Sequence, residues 1–142
     1  MNPTALKIAF LDFDGVLHRG NTGTFRKLPL LEDLLARVPA LSVVLSTNWR
    51  HSESLEDLRG YFATPATADR IIDVLPILPL NQRGCRQREI ELWLRAHPHV
   101  NGYVALDDSA DLFDAGWSGL HPVDPREGLT QVDIEALVRR LS

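Results

Sequence analysis

Cysteine is almost absent from this chain, which contains only Cys85. One cysteine cannot form an internal disulfide, and this scarcity favours a protein of the reducing cytoplasm. The first residues lack the apolar core of a signal peptide, and no hydrophobic run approaches the length that spans a membrane. We therefore expect a soluble, cytoplasmic protein.

The chain also lacks an excess of positive charge. Its 15 lysine and arginine residues are outnumbered by 19 aspartate and glutamate residues, which gives a net charge of −4. Without an overall positive field, any nucleic acid that the protein binds must be held by local contacts. The 142 residues, 44% of them hydrophobic, are enough for one core and too few for two. We predict a single domain over residues 1–142.

What the chain does contain is a regular alternation of short apolar runs with segments of helical periodicity. Continuous apolar runs of this kind are typical of parallel strands that are covered on both faces. The predicted strands are 7–13, 41–47, 102–108 and 119–124, with a short further strand at 71–75 inside an irregular stretch.

Four apolar stripes with helical spacing predict helices. They are Leu31, Leu34, Leu35 and Val38; Leu55, Leu58 and Phe62; Ile90, Trp93, Leu94 and His97; and Ile134, Leu137, Val138 and Leu141. We expect Ser52 to cap the second helix, and Thr130 with Asp133 to form a capping box at the last. Strands that alternate with helices imply right-handed crossovers. The predicted fold is therefore α/β, a three-layer Rossmann-like domain with a central parallel sheet.

Polar side chains follow three of the predicted strands. The first strand leads into Asp12 and Asp14, the second into Ser46 and Thr47, and the strand at 102–108 ends in Asp107 and Asp108. Because ligands of such sheets bind at the carboxyl ends of the strands, we expect these residues to meet in one site. The i, i+2 spacing would direct Asp12 and Asp14 to the same side, and Gly15 permits a sharp turn after them.

Four carboxylates in one small site would repel each other unless a cation compensates them. Mg²⁺ is the preferred candidate, because it accepts few carboxylates and keeps water and phosphate oxygens as further ligands. Each motif alone has a plainer interpretation: Asp-Gly is a common turn, DxDG also resembles part of a calcium site, and aspartate often caps a helix. The joint placement of the motifs at the ends of apolar strands favours the functional interpretation.

In this arrangement the chain resembles the haloacid dehalogenase (HAD) superfamily. The stretches that carry the resemblance are FLDFDGVL, VVLS, a basic helix start near Arg86, and VALDD, in this order over most of the chain. The stretch STNWR, with RQREIELWL ahead of VALDD, is further similar to small capless HAD domains found in RNA-repair proteins. The resemblance implies a HAD-like fold and phosphatase chemistry.

The resemblance implies different roles for the two acids of the first motif. Asp12 would be the nucleophile that attacks phosphorus and forms an aspartyl-phosphate. Asp14 would protonate the leaving oxygen and then activate water. Dehalogenases of the superfamily lack this second acid, so its presence favours a phosphatase.

Further site residues follow from the same resemblance. Ser46 would bind a phosphoryl oxygen, although its neighbour Thr47 could take this place and either residue could simply cap the strand end. Asp108 would bind Mg²⁺ together with Asp12 and Asp14. Asp107 would lie behind the metal ligands as an outer partner or an indirect ligand.

The third motif departs from the usual pattern, since most relatives carry a lysine there and this chain has only Lys7 and Lys27. Arg83, Arg86 and Arg88 surround the start of the third predicted helix instead. Cations are unfavourable at a helix N-terminus, whereas a bound phosphate would explain them. Arg86 is the preferred phosphate ligand of the three, and a solvated arginine patch is the alternative.

Nearby residues carry weaker expectations. Trp49 is expected to pack rather than to stack on a base, and Arg50 to support the site. His18 is expected to be exposed on its loop. Asp111 is as well explained by a helix start as by a function.

Neither of the segments that usually hold cap domains in HAD proteins is expected to form one here. Residues 61–82 make a longer segment that is rich in proline and lacks a core of its own. About a dozen residues after the first motif can form a flap and not a domain. We therefore expect an open site and an Mg²⁺-dependent phosphomonoesterase, whose substrate is a small phosphomonoester or a nucleic-acid end. The alternatives are a 3′-phosphatase of RNA or DNA repair and a non-catalytic phosphate-binding module.

Overall fold

The structure is a computed structural model that describes residues 6–20, 22–62, 64–79 and 84–142. Within these residues, five strands form one parallel sheet in the order β3-β2-β1-β4-β5. The strands are β1 (Leu6–Leu11), β2 (Leu41–Leu45), β3 (Ile71–Val74), β4 (Val100–Asp107) and β5 (Leu120–Pro122). All the predicted strands are confirmed, and the first ends two residues earlier than its apolar run suggested.

Helices connect these strands. In the described residues they are α1 (Leu28–Arg37), α2 (Leu55–Arg59), α3 (Pro65–Ala68), α4 (Cys85–Ala96) and α5 (Gln131–Leu141). Two short 3-10 helices, Asn48–His51 and Ala110–Leu112, follow β2 and β4. None of the helices in this part of the chain is both long enough and apolar enough to cross a membrane.

The helices cover both faces of the sheet, as the α/β prediction requires. Ala9 and Leu11 of β1 belong to the core layer formed with α1 and α5. Ile8 and Phe10 point to the other layer, which contains α4. All four side chains are completely buried. Burial on both faces explains why β1 is a continuous apolar run rather than an alternating one.

The start and end of α2 differ from the prediction. Ser54 is the N-cap instead of Ser52, and its Oγ accepts a hydrogen bond from Asp57 N at 3.1 Å. Ser52 ends the preceding 3-10 helix. Because α2 stops at Arg59, Phe62 follows the helix and packs into the core from the next turn. The apolar stripe therefore identified buried side chains correctly but overstated the length of the helix.

The carboxyl ends of β1, β2 and β4 meet at one edge of the sheet, where α1 also begins. The segment from β1 to α1, residues 12–27, leaves this edge, and we call it the flap. Its described residues contain no helix and no strand apart from an isolated bridge between Asp14 and His18. From β1 the chain first adds β2 and β3 on one side and then β4 and β5 on the other, so the strand order reverses between β1 and β4. Ligand sites of parallel sheets usually lie at such a reversal.

The capping box of α5 gives a test of the local structure. Thr130 Oγ1 accepts from Asp133 N at 3.3 Å, and Asp133 Oδ2 accepts from Thr130 N at 2.9 Å. Thr130→Ala leaves the first of these backbone donors without its partner and should lower the free energy of unfolding by about 1 kcal/mol. Thr130→Ser, which keeps the hydroxyl, is the control. Chemical denaturation measures both variants, and an alanine variant as stable as the parent would contradict a stabilising cap.

Candidate active site

Three carboxylates lie together at the carboxyl ends of the adjacent strands β1 and β4. Asp12 follows β1, Asp107 is the last residue of β4, and Asp108 comes next. The strand ends are level, because Leu11 pairs with Leu106 and Asp12 N donates to Leu106 O at 3.1 Å. Each of the three acids offers one oxygen that lies within 4.8 Å of the other two. We call these three residues the acidic cluster.

The turn after Asp12 leaves room for Asp108. Gly15 has a φ of +78°, in the left-handed region that favours glycine. A Cβ added to Gly15 would overlap the carboxylate of Asp108 and lie 2.6 Å from its Cγ. The glycine of the first motif therefore serves both the turn and the close approach of the acid from β4.

The acidic cluster is electrostatically unfavourable by itself. Asp12 is 9% exposed and Asp107 is 1% exposed. Burial, with the charges of Asp107 and Asp108, raises the pKa of Asp12 to about 9, although the nearby Arg86 lowers it. Burial also raises the pKa of Asp107 to about 6, against the lowering effects of Arg86 and of the hydrogen bond from Ser109 N. Additional positive charge would favour the ionised form of both acids.

Among the described residues, Arg86 is the cation that contacts the acidic cluster. It lies in the first turn of α4 and is buried. Its Nη1 is 3.4 Å from Asp107 Oδ2, and its Nη2 donates to Asn48 Oδ1 at 2.8 Å. Arg86 therefore connects the end of β4 to the segment after β2.

The other two arginines of the third motif are not equivalent to Arg86. Arg88 lies at the surface and pairs with the exposed Asp114 at 3.2 Å. Arg83 lies outside the described residues. Of the two arginines that can be compared, only Arg86 contacts the acidic cluster, and its role as a phosphate ligand stays a prediction.

Arg86 also contacts a buried ion pair between Glu89 and Arg50. Oε1 of Glu89 is 3.3 Å from Arg86 Nε and 2.6 Å from Arg50 Nη2. Arg50 Nη1 also donates to the backbone oxygens of Ser46 and Thr47, both at 3.0 Å. Arg50 thus joins the end of β2 to α4, which is the supporting position expected for it.

The second acid of the first motif has different neighbours. Asp14 is not one of the three residues of the acidic cluster. Its Oδ1 is 2.8 Å from His18 Nε2, and its Oδ2 accepts from Trp49 Nε1 at 3.1 Å. The expected placement of Asp12 and Asp14 on one side relied on strand alternation, which stops where β1 ends at Leu11. The side chain of Asp14 is 40% exposed and open to approach from solvent.

His18 is completely buried, so the expectation that it is exposed is wrong. Its ring lies beside those of Phe25 and Trp49, and both of these contact Phe13. We call these four residues the aromatic group. Trp49 packs as expected, and it also holds Asp14. Through Trp49, the aromatic group therefore fixes Phe13, His18 and Phe25 of the flap against the segment that follows β2.

The two polar residues after β2 differ in their contacts. Thr47 is the N-cap of the 3-10 helix that follows, and its Oγ1 accepts from Trp49 N at 3.2 Å. Ser46 N donates to Leu11 O at 2.9 Å, which aligns Ser46 with the end of β1. Because the Thr47 hydroxyl caps the helix, Ser46 is the better candidate to bind a phosphoryl oxygen.

Two residues of this arrangement were missed by the sequence reasoning. Nothing distinguishes Asn48, which holds Arg86, from an ordinary polar loop residue. Glu89 did carry a signal, since it lies three positions after Arg86 and next to the apolar stripe, on the buried face of α4. Asp111 is exposed in the 3-10 helix after β4, as a helix-start residue would be.

A cavity of about 450 Å³ opens beside Arg86. Apolar side chains supply part of its described lining, and polar side chains supply the rest, namely Asn48, Arg50, His51, Arg86 and Glu89. A substrate group bound there would lie next to the acidic cluster, because Arg86 contacts both.

A comparison with protein families matches residues 8–134 to the HAD domain in Swiss Army Knife RNA repair proteins. No curated protein and no solved structure matches the chain. The matched region extends from β1 into α5 and contains the whole acidic cluster and Arg86. The five-stranded parallel sheet with helices on both faces is the fold that the motifs implied. The chain therefore belongs to the HAD superfamily, within the family of HAD domains in Swiss Army Knife RNA repair proteins.

Proposed function

We propose that the chain is an Mg²⁺-dependent phosphomonoesterase that works through an aspartyl-phosphate on Asp12. The observation that carries the proposal is the acidic cluster, three carboxylates at the ends of adjacent strands beside one buried arginine. Membership of the HAD superfamily supports phosphatase-like chemistry in general terms.

The acidic cluster suits a hard divalent cation. Its candidate ligand atoms are all carboxylate oxygens, the type that Mg²⁺ prefers. Burial and the neighbouring carboxylates raise the pKa of Asp12, and a cation bound there would favour its ionised form. Asp12 and Asp108 would hold the ion, with Asp107 as a further ligand or outer partner. Bound there, Mg²⁺ would neutralise charge on the phosphoryl group.

Asp12 is the nucleophile in this proposal. Its Oδ1 accepts a hydrogen bond from Phe13 N at 2.9 Å, which orients the carboxylate and leaves Oδ2 available. In the first step, an Asp12 oxygen bonds to phosphorus while the bond from phosphorus to the leaving oxygen breaks. In the second step, water attacks the same phosphorus, which releases inorganic phosphate and restores the carboxylate.

Asp14 moves the protons of both steps. It gives its proton to the leaving oxygen in the first step and takes one from the attacking water in the second. His18 and Trp49 hold its carboxylate from two sides, so the group is oriented before the substrate arrives. The metal contact predicted for Asp14 from the sequence is not part of the proposal, because the side chain lies outside the acidic cluster.

A narrower candidate is a phosphatase that acts on the 3′-phosphate of a nucleic acid. The observation that favours it is the family match, because these HAD domains occur in RNA repair proteins. The half-exposed Asp14 also leaves room for a leaving group on a large molecule. A non-catalytic phosphate-binding module is the less favoured alternative, since such a module would not require the pair of Asp12 and Asp14.

Substitution of the two acids of the first motif should change the catalytic activity in different ways. Asp12→Asn removes the nucleophile and should abolish turnover of every substrate. Asp14→Asn removes the proton donor and should lower the rate by roughly 10²–10⁴-fold on an alkyl phosphate. On an activated aryl phosphate, whose leaving group needs no proton, the loss for Asp14→Asn should shrink. Steady-state rates on the two substrates measure the difference.

Both asparagine variants should remain folded. Asp12→Asn relieves repulsion among crowded carboxylates, and Asp14→Asn replaces a partly exposed side chain by one of the same size, so neither opens a cavity. A thermal melt of each variant provides the control. Near-normal turnover by Asp12→Asn on either substrate would rule out the covalent mechanism.

Activity should disappear on chelation with EDTA and return when Mg²⁺ is added. Asp108→Ala should raise the Mg²⁺ concentration needed for half-maximal rate by roughly tenfold or more, because it removes a ligand. Asp111→Ala is the matched control, since this exposed acid follows the same strand without joining the acidic cluster. Full activity in metal-free protein would contradict the Mg²⁺ requirement.

Arg86 and Arg88 form a matched pair for testing the third motif. Arg86→Gln removes positive charge beside Asp107 and should lower kcat/KM by roughly 10²-fold, while Arg88→Gln should stay near the parent value. Arg86→Lys should recover part of the loss, since most relatives carry lysine there. Rates and thermal melts of the three variants check this, and equal losses for the two glutamine variants would argue against a special position of Arg86.

A further inference from the structure

The flap contains a second cavity, separate from the one beside Arg86. It has a volume of about 370 Å³ and is lined by Arg19, Thr22, Thr24, Arg26 and Lys27. We call these five residues the basic groove. The described part of its lining therefore consists of three cations and two side chains with hydroxyl groups, and none of these five residues carries a carboxylate. Guanidinium, ammonium and hydroxyl donors are the groups that proteins direct at phosphate oxygens.

The positive charge of the basic groove is not neutralised by the protein. From Gly15 to Leu31 the sequence contains no acidic residue, although acids outnumber bases in the whole chain. Over the described ranges, no carboxylate forms an ion pair with any cation of the basic groove. The loop that reaches the flap through a bond from Gly20 N to Pro125 O carries Asp124, which is paired with Arg126 at 3.1 Å.

The start of α1 adds to this unpaired positive charge. Lys27 occupies the N-cap position, where no side chain accepts a hydrogen bond from the backbone, and the first turn contains no acid. A cation is unfavourable at the positive end of a helix. The backbone amides at this helix start are already used, because Leu28 N and Leu30 N donate to the oxygens of Phe25 and Lys27 and Pro29 has no N–H. An anion in the basic groove would therefore be bound by its side chains.

The aromatic group fixes the basic groove relative to the candidate active site. Phe25 packs on Phe13 and Trp49 with a φ of +52°, a strained value for this residue, while its neighbours Thr24 and Arg26 are exposed. The Trp49 ring, which also contacts this part of the flap, donates its Nε1 proton to Asp14. Trp49 thus contacts both the proposed proton donor and Phe25, whose two chain neighbours line the basic groove.

We propose that the basic groove binds an internal phosphodiester of a single-stranded nucleic acid whose terminal phosphate lies at Asp12. This inference rests on the proposed function, because it assigns the substrate class to the same site. A small phosphomonoester has one phosphate and cannot occupy both places, whereas a nucleic-acid strand carries phosphates along its length. A phosphopeptide is less suitable, because it carries phosphate only at its modified residues and would supply fewer anions for the three cations of the basic groove.

The test measures binding of a fluorescent RNA oligonucleotide with hydroxyl ends, by anisotropy over a range of salt concentrations. The variant Arg19→Gln/Arg26→Gln should bind roughly tenfold more weakly at low salt than the parent protein. The slope of log affinity against log salt concentration should also become shallower, by about 0.7 for each phosphate contact that the variant removes. Arg95→Gln is the matched control, since this exposed arginine lies near the end of α4, at the opposite edge of the sheet. It should bind like the parent.

The hydroxyl-ended probe separates this inference from the proposed function, since it contains no phosphomonoester to hydrolyse. The protein could bind the probe through Arg19 and Arg26 and yet show no phosphatase activity. That result would support nucleic-acid binding by the basic groove and contradict the proposed function. Equal binding by the double variant and the parent would overturn the basic groove, whatever the activity. Tighter binding of a phosphopeptide with the same arginine dependence would overturn the assignment to nucleic acid.

If the protein is active, kinetics give a second readout. The double variant should raise KM for a 3′-phosphorylated oligonucleotide by roughly tenfold more than it raises KM for a 3′-mononucleotide. A rise of the same size for both substrates would contradict a contact with an internal phosphodiester.

Discussion

The site depends on one electrostatic constraint, the close approach of three carboxylates at the ends of two buried strands. The pairing of β1 with β4 brings Asp12 beside Asp107 and Asp108, and Gly15 leaves the space that Asp108 fills. Because Asp107 is almost fully buried and Asp12 is only 9% exposed, water solvates these two charges poorly, and the arrangement is costly unless positive charge is near. Arg86 supplies part of that charge, and the buried pair of Glu89 and Arg50 holds it in position.

The two acids of the first motif have unlike surroundings, and this difference is what allows them unlike roles. Asp12 is buried with other carboxylates, where its pKa is raised to about 9 unless a cation is bound. Asp14 is 40% exposed and held by His18 and Trp49. Titratable groups in contrasting environments are characteristic of sites that divide nucleophilic and acid–base work between them. His18 of the flap and Trp49 of the segment after β2 therefore take part in orienting the proposed proton donor.

How much could be predicted from the sequence depended on the range of the interactions. Burial of β1 on both faces and the capping box at Thr130 are local patterns, and both are confirmed. The order of the motifs also located the acidic cluster, because parallel strands end at one edge. The burial of His18 and the bridging position of Glu89 were not predicted. They depend on partners distant in the chain, Trp49 for the first and Arg50 for the second.

The most direct test of the account is to look for the phosphoryl group on Asp12. Protein mixed with a phosphorylated substrate and Mg²⁺ would be quenched in acid and digested, and its peptides analysed by mass spectrometry. The account predicts a phosphoryl group on the peptide 8–19, located by fragmentation at Asp12 and absent from the Asp12→Asn variant. Release of phosphate without a labelled protein, or a label on another residue, would contradict it.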